Sequence, residues 1–151
     1  MQEQSINPLM DFSFIKKIFE EHIPFNKLLG FQLIEIKKDF ARMLVPFKAE
    51  LIGEIRESRI HGGVIMSAMD TVAGAAGMTS IDLVKDRLAT IDLRTDFLAP
   101  ALNEDLVVEG LVRRSGNRVI FIQMQAYHAS QPEVIIAEGR ATFSVKREPK
   151  A

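Results

Sequence analysis

The chain contains no cysteine among its 151 residues. That absence excludes disulfides, thiolate nucleophiles and cysteine metal ligands. It also removes the small secreted scaffold whose stability comes from disulfides. No apolar run approaches the roughly 20 residues needed to span a bilayer. The opening stretch, Met1 to Asp11, holds no basic residue, so it lacks the regions of a signal peptide. Together these absences set the expectation of a cytoplasmic protein without a membrane partner. Neither sign of charge dominates: 19 basic and 20 acidic side chains leave a net charge of −1. That balance gives no global attraction to nucleic acid or anionic lipid, so no nucleic-acid partner is expected.

Linkers are missing too. Pro and Gly are scattered, and no repeat or low-complexity tract divides the chain. The prior of about 150 residues per domain predicts one domain over residues 1–151. The apolar content of 47%, against 26% charged, suffices for an ordinary core. Familiar catalytic signatures also fail. There is no G-x-S-x-G nucleophile elbow, no Walker A sequence and no G-x-G-x-x-G. His22, His61 and His128 lie far apart, without the spacing of a ligand pair, so no metal is expected.

What is present reads as a mixed α+β chain. Phe12, Ile15, Ile18, Phe19 and His22 recur at helical spacing, predicting an N-terminal helix over about 11–23. Asp11 serves as its N-cap and Pro24 as its stop, with a core over about 25–147. Phe31 to Lys38 and Phe40 to Phe47 read as strands around a turn at Asp39. The stretch from His61 to about Leu83 is poor in charge and rich in Ala and Gly, the pattern of a helix buried on most sides. Glycine weakens a helix by up to about 1 kcal/mol relative to Ala. Gly74 and Gly77 therefore suggest close approach of another backbone. Arg87 to Leu98 alternates, with Ala89, Ile91, Leu93, Thr95 and Phe97 on one face and Thr90, Asp92, Arg94 and Asp96 on the other. Strands over 105–113, 118–129 and 134–145 follow. The expected architecture is an antiparallel sheet of about six strands packed on one central helix.

Two features carry candidate chemistry. His61-Gly62-Gly63 opens the buried helix, where free N–H groups and the macrodipole favour negative charge. Such a terminus can hold a carbonyl oxygen as it becomes an oxyanion. By itself the tripeptide fits a plain glycine-rich helix start with a hydrogen-bonded histidine better than an oxyanion site. Asp70 is the second feature. A carboxylate within an apolar helix is costly to bury unless paired or used. It suits a general base or nucleophile, or else a partner of an arginine such as Arg94. Gly63 and Asp70 lie seven residues apart, roughly 10 Å along a helix. One small carbonyl does not easily touch both in the same chain, so joint action requires a dimer interface.

These residues resemble the hotdog-fold thioesterases of the phenylacetate-pathway type, within the wider 4-hydroxybenzoyl-CoA thioesterase-like superfamily. That family carries H-G-G with an Asp nine residues after the His, as His61 and Asp70 do here. Its strand ending in an aromatic, a spacer and Pro-Ala is matched by Asp92 to Ala101. Its final A-x-G-x-x-x-F is matched by Ala137 to Phe143. The resemblance implies a hotdog fold, in which a curved antiparallel sheet wraps a long central helix. It implies a homodimer with shared sites, often a dimer of dimers, and hydrolysis of an acyl-CoA thioester to free acid and CoA. Asp70 takes the catalytic carboxylate's position, and Gly62 or Gly63 supplies the oxyanion amide; from the residues themselves, His61 orients that loop or donates to the ligand. Thr90 aids the attacking water, or is an ordinary β-branched strand residue. Relatives place an Asn six residues before the His; here that position is Ile55, with Glu57 and Arg59 as nearby polar substitutes.

Arg113, Arg114 and Arg118 bracket a turn containing Gly116 and are candidates for the phosphates of CoA, or form a plain solvated turn. Met66, Met69 and Phe97 are candidates to line an acyl pocket; Met78 reads as core. No cofactor is expected beyond CoA as part of the substrate. The alternative function is a non-catalytic acyl-CoA binder or sensor on the same fold. A dehydratase or hydratase is disfavoured, because its His and carboxylate spacing is not found.

Overall fold

The computed structural model describes residues 12–149. Eight strands and three α-helices follow in the order α1 (Ser13–Lys17), a π-helical turn (Ile18–His22), α2 (Pro24–Leu29), β1 (Gln32–Lys37), β2 (Phe40–Val45), β3 (Ile52–Glu54), β4 (Arg59–Ile60), α3 (Gly62–Met78), β5 (Arg87–Phe97), β6 (Leu106–Ser115), β7 (Val119–His128) and β8 (Ala137–Lys146). Six strands form one sheet in the order β1-β2-β6-β7-β8-β5, and every neighbouring pair is antiparallel. The sheet wraps α3, which is the expected hotdog arrangement. No helix among the described residues is long and apolar enough to cross a membrane.

The core lies between α3 and the inner sheet face. On α3 it takes Ile65, Ala68, Met69, Val72, Ala73 and Ala76. On the sheet it takes alternate residues, such as Ile120, Ile122 and Met124 of β7 and Ala141, Phe143 and Val145 of β8. Each large side chain buried there contributes about 1.5–3 kcal/mol. The close approach expected of Gly74 and Gly77 occurs elsewhere. A Cβ on Gly110 of β6 would sit 3.0 Å from the Val72 carbonyl oxygen, so that glycine lets the helix backbone press onto the sheet. Gly77 faces the Leu88 and Ile122 side chains, and Gly74 faces no backbone at all.

The helix ends at Met78, short of the expected Leu83. Thr79 stops it by donating to the Ala76 carbonyl at 2.6 Å and accepting the Asp39 N–H at 2.8 Å. The β1–β2 turn, where Asp39 adopts φ 63°, is thereby tied to the helix end.

The N-terminal segment departs from a single helix, and the expected cap, Asp11, lies outside the described residues. The Ile23 N–H bonds back five residues to the Ile18 carbonyl at 3.1 Å, widening the last turn. That extra residue rotates the apolar face: Ile15 and Phe19 are buried while His22 is exposed. Ile23 is extended, as the residue before a proline prefers, and Pro24 opens α2. Lys16 donates to the Leu33 carbonyl at 2.8 Å, and Glu20 accepts the Leu33 N–H at 2.7 Å. Two side chains so cover part of the β1 edge, which would otherwise invite another strand.

On the outer sheet face, Glu109 accepts from Arg42 (2.7 Å), Gln125 (2.8 Å) and Tyr127 (2.7 Å). Burial pushes its carboxyl up, but the hydrogen bonds from Tyr127, Gln125 and Arg42 outweigh it and hold the group below the usual carboxylate range. A depressed folded value means that this stabilisation is complete above the unfolded carboxyl pKa of about 4.3 and is lost as pH falls through the folded value. Glu109→Gln should lower the urea midpoint at pH 7, with a deficit that shrinks below about pH 4. A deficit independent of pH would show that the charge plays no part.

Candidate active site

β4 delivers the chain to His61, the extended N-cap of α3. The His61 Nδ1 accepts the Gly63 N–H at 2.8 Å, and the His61 carbonyl accepts the Val64 N–H at 2.9 Å. These bonds separate the two glycines. Gly63, at the second helical position, has its amide used by the cap, as N-cap side chains usually do. Gly62, at the first, keeps its N–H outside these bonds, at the end where the macrodipole favours negative charge. A Cβ on Gly62 would lie 3.2 Å from the Phe97 ring, and one on Gly63 would lie 2.8 Å from His61 Nδ1. Rings pack on the helix start so tightly that no larger residue fits without movement.

Two turns along α3, Asp70 is half-buried and accepts the Thr90 hydroxyl at 2.8 Å through Oδ1. Strict alternation along β5 would put Thr90 outside. The structure corrects this with a β-bulge: the pairing with β8 shifts between Thr90 and Asp92, leaving Ile91 over. Thr90 now sits opposite inward-facing Phe143, on the side of the helix, while Ile91 is 60% exposed. Arg94 does not meet Asp70; it pairs with Asp96 at 3.2 Å on the outer face. Asp70 is thus held by a neutral hydroxyl, leaving Oδ2 available for a proton or for attack.

A cavity of about 410 Å³ opens beside this pair. Ser67, Gly74 and Met78 of α3 form one wall, Leu88 and Phe143 of the sheet another, and Phe19 of the π-helical turn closes it. This is not the expected set. Met69 is fully buried beneath Thr95, whose hydroxyl reaches its sulfur at 3.5 Å, so it is core and not wall. Met66 and Phe97 are exposed at the helix start, and Met78 lines the cavity.

The three arginines gather at the β6–β7 hairpin, where Gly116 donates to the Val119 carbonyl at 2.8 Å. Arg113 occupies a second bulge in β6 and lines an outer groove with Arg94 and Arg140; Arg114 and Arg118 are exposed. Arg147, which the motif reading missed, donates to the Asn117 carbonyl at 3.0 Å and to Asp86 at 2.7 Å. Ile55 is 85% exposed in the β3–β4 turn, while Glu57 and Arg59 pair with each other. His128 is structural: it accepts the Leu102 N–H through Nε2 at 2.9 Å and bonds the Asp105 carbonyl through Nδ1. His22 is exposed, and no cluster of three metal-ligating side chains occurs among the described residues.

Residues 58–135 match the sequence profile of the thioesterase superfamily. A medium/long-chain acyl-CoA thioesterase of Escherichia coli, YigI, is 34% identical over 143 residues, covering 87% of this chain and 91% of the relative. This chain is an enzyme of the thioesterase superfamily. The structural likeness agrees with that membership. A Shewanella oneidensis protein related to the superfamily aligns with a TM-score of 0.78 at 31% identity, covering 89% of this chain and 95% of that one. A Silicibacter pomeroyi thioesterase family protein has the same fold, with a TM-score of 0.82 at 18% identity over 91% and 99% of the two chains. These likenesses support the superfamily without singling out its phenylacetate-pathway branch.

The geometry of the α3 start hangs on the His61 cap. His61→Ala should cost about 0.5–2 kcal/mol of stability, the usual value of a lost N-cap, and His61→Asn should restore most of it. Equal urea midpoints for the alanine variant and the native chain would show that the ring does not support the helix start.

Proposed function

We propose that the protein hydrolyses acyl-CoA thioesters at sites shared between two copies, Asp70 of one copy facing the partner's Gly62. The observation that carries this reading is the Asp70–Thr90 pair, a carboxylate on the buried helix with one oxygen held and one free. The similarity to YigI supports the CoA ester as substrate. The need for a second copy follows from α3 itself: Gly62 and Asp70 stand roughly 12 Å apart along one rigid helix, too far for one carbonyl. β5 supports the pairing of copies. It is an eleven-residue edge strand with Ile91 and Phe97 exposed, the kind of edge that another strand covers.

In this mechanism the Asp70 Oδ2 takes a proton from a water molecule as its oxygen attacks the thioester carbon. Thr90 fixes the carboxylate's orientation. The partner's Gly62 N–H receives the carbonyl oxygen as charge develops on it, and the macrodipole adds to that stabilisation. The carbon–sulfur bond then breaks, the proton passes from Asp70 to the departing CoA sulfur, and the free acid remains. A positioned base contributes typically about 10²–10⁴-fold. Arg114 and Arg118 supply exposed guanidinium groups for the CoA phosphates.

Asp70→Asn should lower kcat for the best acyl-CoA at least about 100-fold with little change in unfolding midpoint, and Thr90→Val should cause a smaller loss. Thiol release at the native rate from Asp70→Asn would remove that carboxylate from the mechanism. CoA-ester binding without thiol release from the native protein would establish the binder or sensor instead. Replacing both Arg114 and Arg118 by Ala should raise KM for CoA esters about tenfold while leaving small non-CoA thioesters unaffected, each lost charge-assisted contact contributing about 1.5 kcal/mol or less at an exposed site. Equal changes on both substrate types would place the phosphates elsewhere.

A further inference from the structure

We infer that the acyl chain lies in the cavity under the N-terminal π-helical turn, and that the missing side chain at Gly74 sets the longest chain accepted. The inference rests on the thioesterase reading and adds the chain's path and its limit. Three independent observations meet here.

The first is continuity. The cavity takes in Asp70 and Thr90 and extends along α3 past Thr71 and Gly74 to Met78, with Ser67 on the other side of the carboxylate. From Asp70 to Met78 is about 12 Å of helix. Beyond the carboxylate the lining is mainly apolar, from Phe19, Ile23, Leu88 and Phe143. A volume of about 410 Å³ lies within the range of small-molecule sites. An alkyl chain fits the apolar part of this lining, formed by Phe19, Ile23, Met78, Leu88 and Phe143, while Ser67, Thr71 and Thr90 lie nearer the carboxylate.

The second concerns Gly74. Glycine within a helix is unfavourable relative to alanine, so a resident glycine needs a reason. Packing gives none here. A Cβ would meet only the edges of the Phe19 and Phe143 rings, at 3.7 and 3.8 Å, which is ordinary contact. No backbone lies near, in contrast to Gly110. What glycine leaves is free volume in the cavity wall.

The third is the roof. A π-helical turn costs regular hydrogen bonding and often marks a functional position. Here it is held open by a specific partner: buried Asn26 donates to the Phe19 carbonyl at 3.0 Å. Asn26 is in turn reached by the Thr71 hydroxyl at 3.4 Å. The segment is thereby fixed over α3 with the Phe19 ring above Gly74, so ring and glycine bound the same space from opposite sides.

The test is a chain-length profile of kcat/KM from butyryl-CoA to palmitoyl-CoA for the full chain, Gly74→Leu and Phe19→Ala, with urea midpoints for each. Gly74→Leu should reduce the long-to-short ratio at least tenfold, and Phe19→Ala should move the optimum to longer chains. Dodecanoate binding, read by calorimetry, should weaken in Gly74→Leu in parallel, independent of turnover. A folded Gly74→Leu with the native profile and native dodecanoate affinity overturns the inference and moves the chain toward Met66 and Phe97. Should Gly74→Leu not fold, an unchanged optimum in Phe19→Ala overturns it. Native protein that binds dodecanoate in this Gly74-dependent way yet releases thiol from no acyl-CoA upholds the chamber and sinks the hydrolase reading.

Discussion

Everything in this molecule depends on how closely α3 can be pressed into the sheet. The helix is nearly all small or apolar residues, and it meets β6 where Gly110 presents no side chain to the Val72 carbonyl. That contact fixes the helix axis against the sheet, and with it the positions of His61, Gly62 and Asp70, all carried by the same rigid element. A helix hydrophobic on most sides is stable only when enclosed, and the enclosure is the sheet with the N-terminal segment on the open side. A core this close-packed resists small displacements. His61, Gly62 and Asp70 are therefore placed on the least movable part of the fold, while the cavity wall is completed by elements tied on through a few side chains, such as Asn26, Lys16 and Glu20.

In the proposed mechanism the same rigidity leaves the site incomplete in one chain. An oxyanion donor at a helix start and a carboxylate two turns later are roughly 12 Å apart whatever the side chains do. Flexibility cannot close that gap without breaking the helix. A second copy can, which makes association part of catalysis in the proposed mechanism and not an accessory to it. The exposed length of β5, with its apolar Ile91 and Phe97, has a natural use on this account.

Much of this was legible in the sequence, for identifiable reasons. The central helix and the succession of strands along the chain are read from composition and periodicity, which depend on burial, whereas the significance of the His61 to Asp70 spacing rests on the resemblance to hotdog-fold thioesterases. Two departures from the regular pattern have a common cause. The apolar pattern at Phe12, Ile15, Ile18 and Phe19 predicts a straight helix, but a π-helical turn inserts one residue and exposes His22. The alternation along β5 groups Ile91 with Leu93 and Thr90 with Asp92, but a bulge at Ile91 inserts one residue, so that Thr90 shares the helix side with Leu93 and meets Asp70. Met69 has the spacing of a pocket residue and is core, because helical spacing does not say which side of a wholly enclosed helix borders a void. Periodicity reports the regular element; it is blind to a single inserted residue that the tertiary contacts tolerate.

Those insertions occur on two sides of the same cavity. A bulge and a π turn each sacrifice local hydrogen bonding, and each is retained where the surrounding structure compensates. Here the compensation is visible: Asn26 takes up the Phe19 carbonyl, and the Thr90 hydroxyl gains the Asp70 carboxylate. One insertion orients a polar group toward the Asp70 end of the cavity, and the other sets an aromatic ring over its apolar end. A regular helix and a regular strand would enclose the same core with the same composition, yet would direct Thr90 to solvent and move Phe19 off Gly74. The site is thus built from departures from regularity laid upon a regular frame, which is why the frame can be read from the pattern of residues and the site only in part.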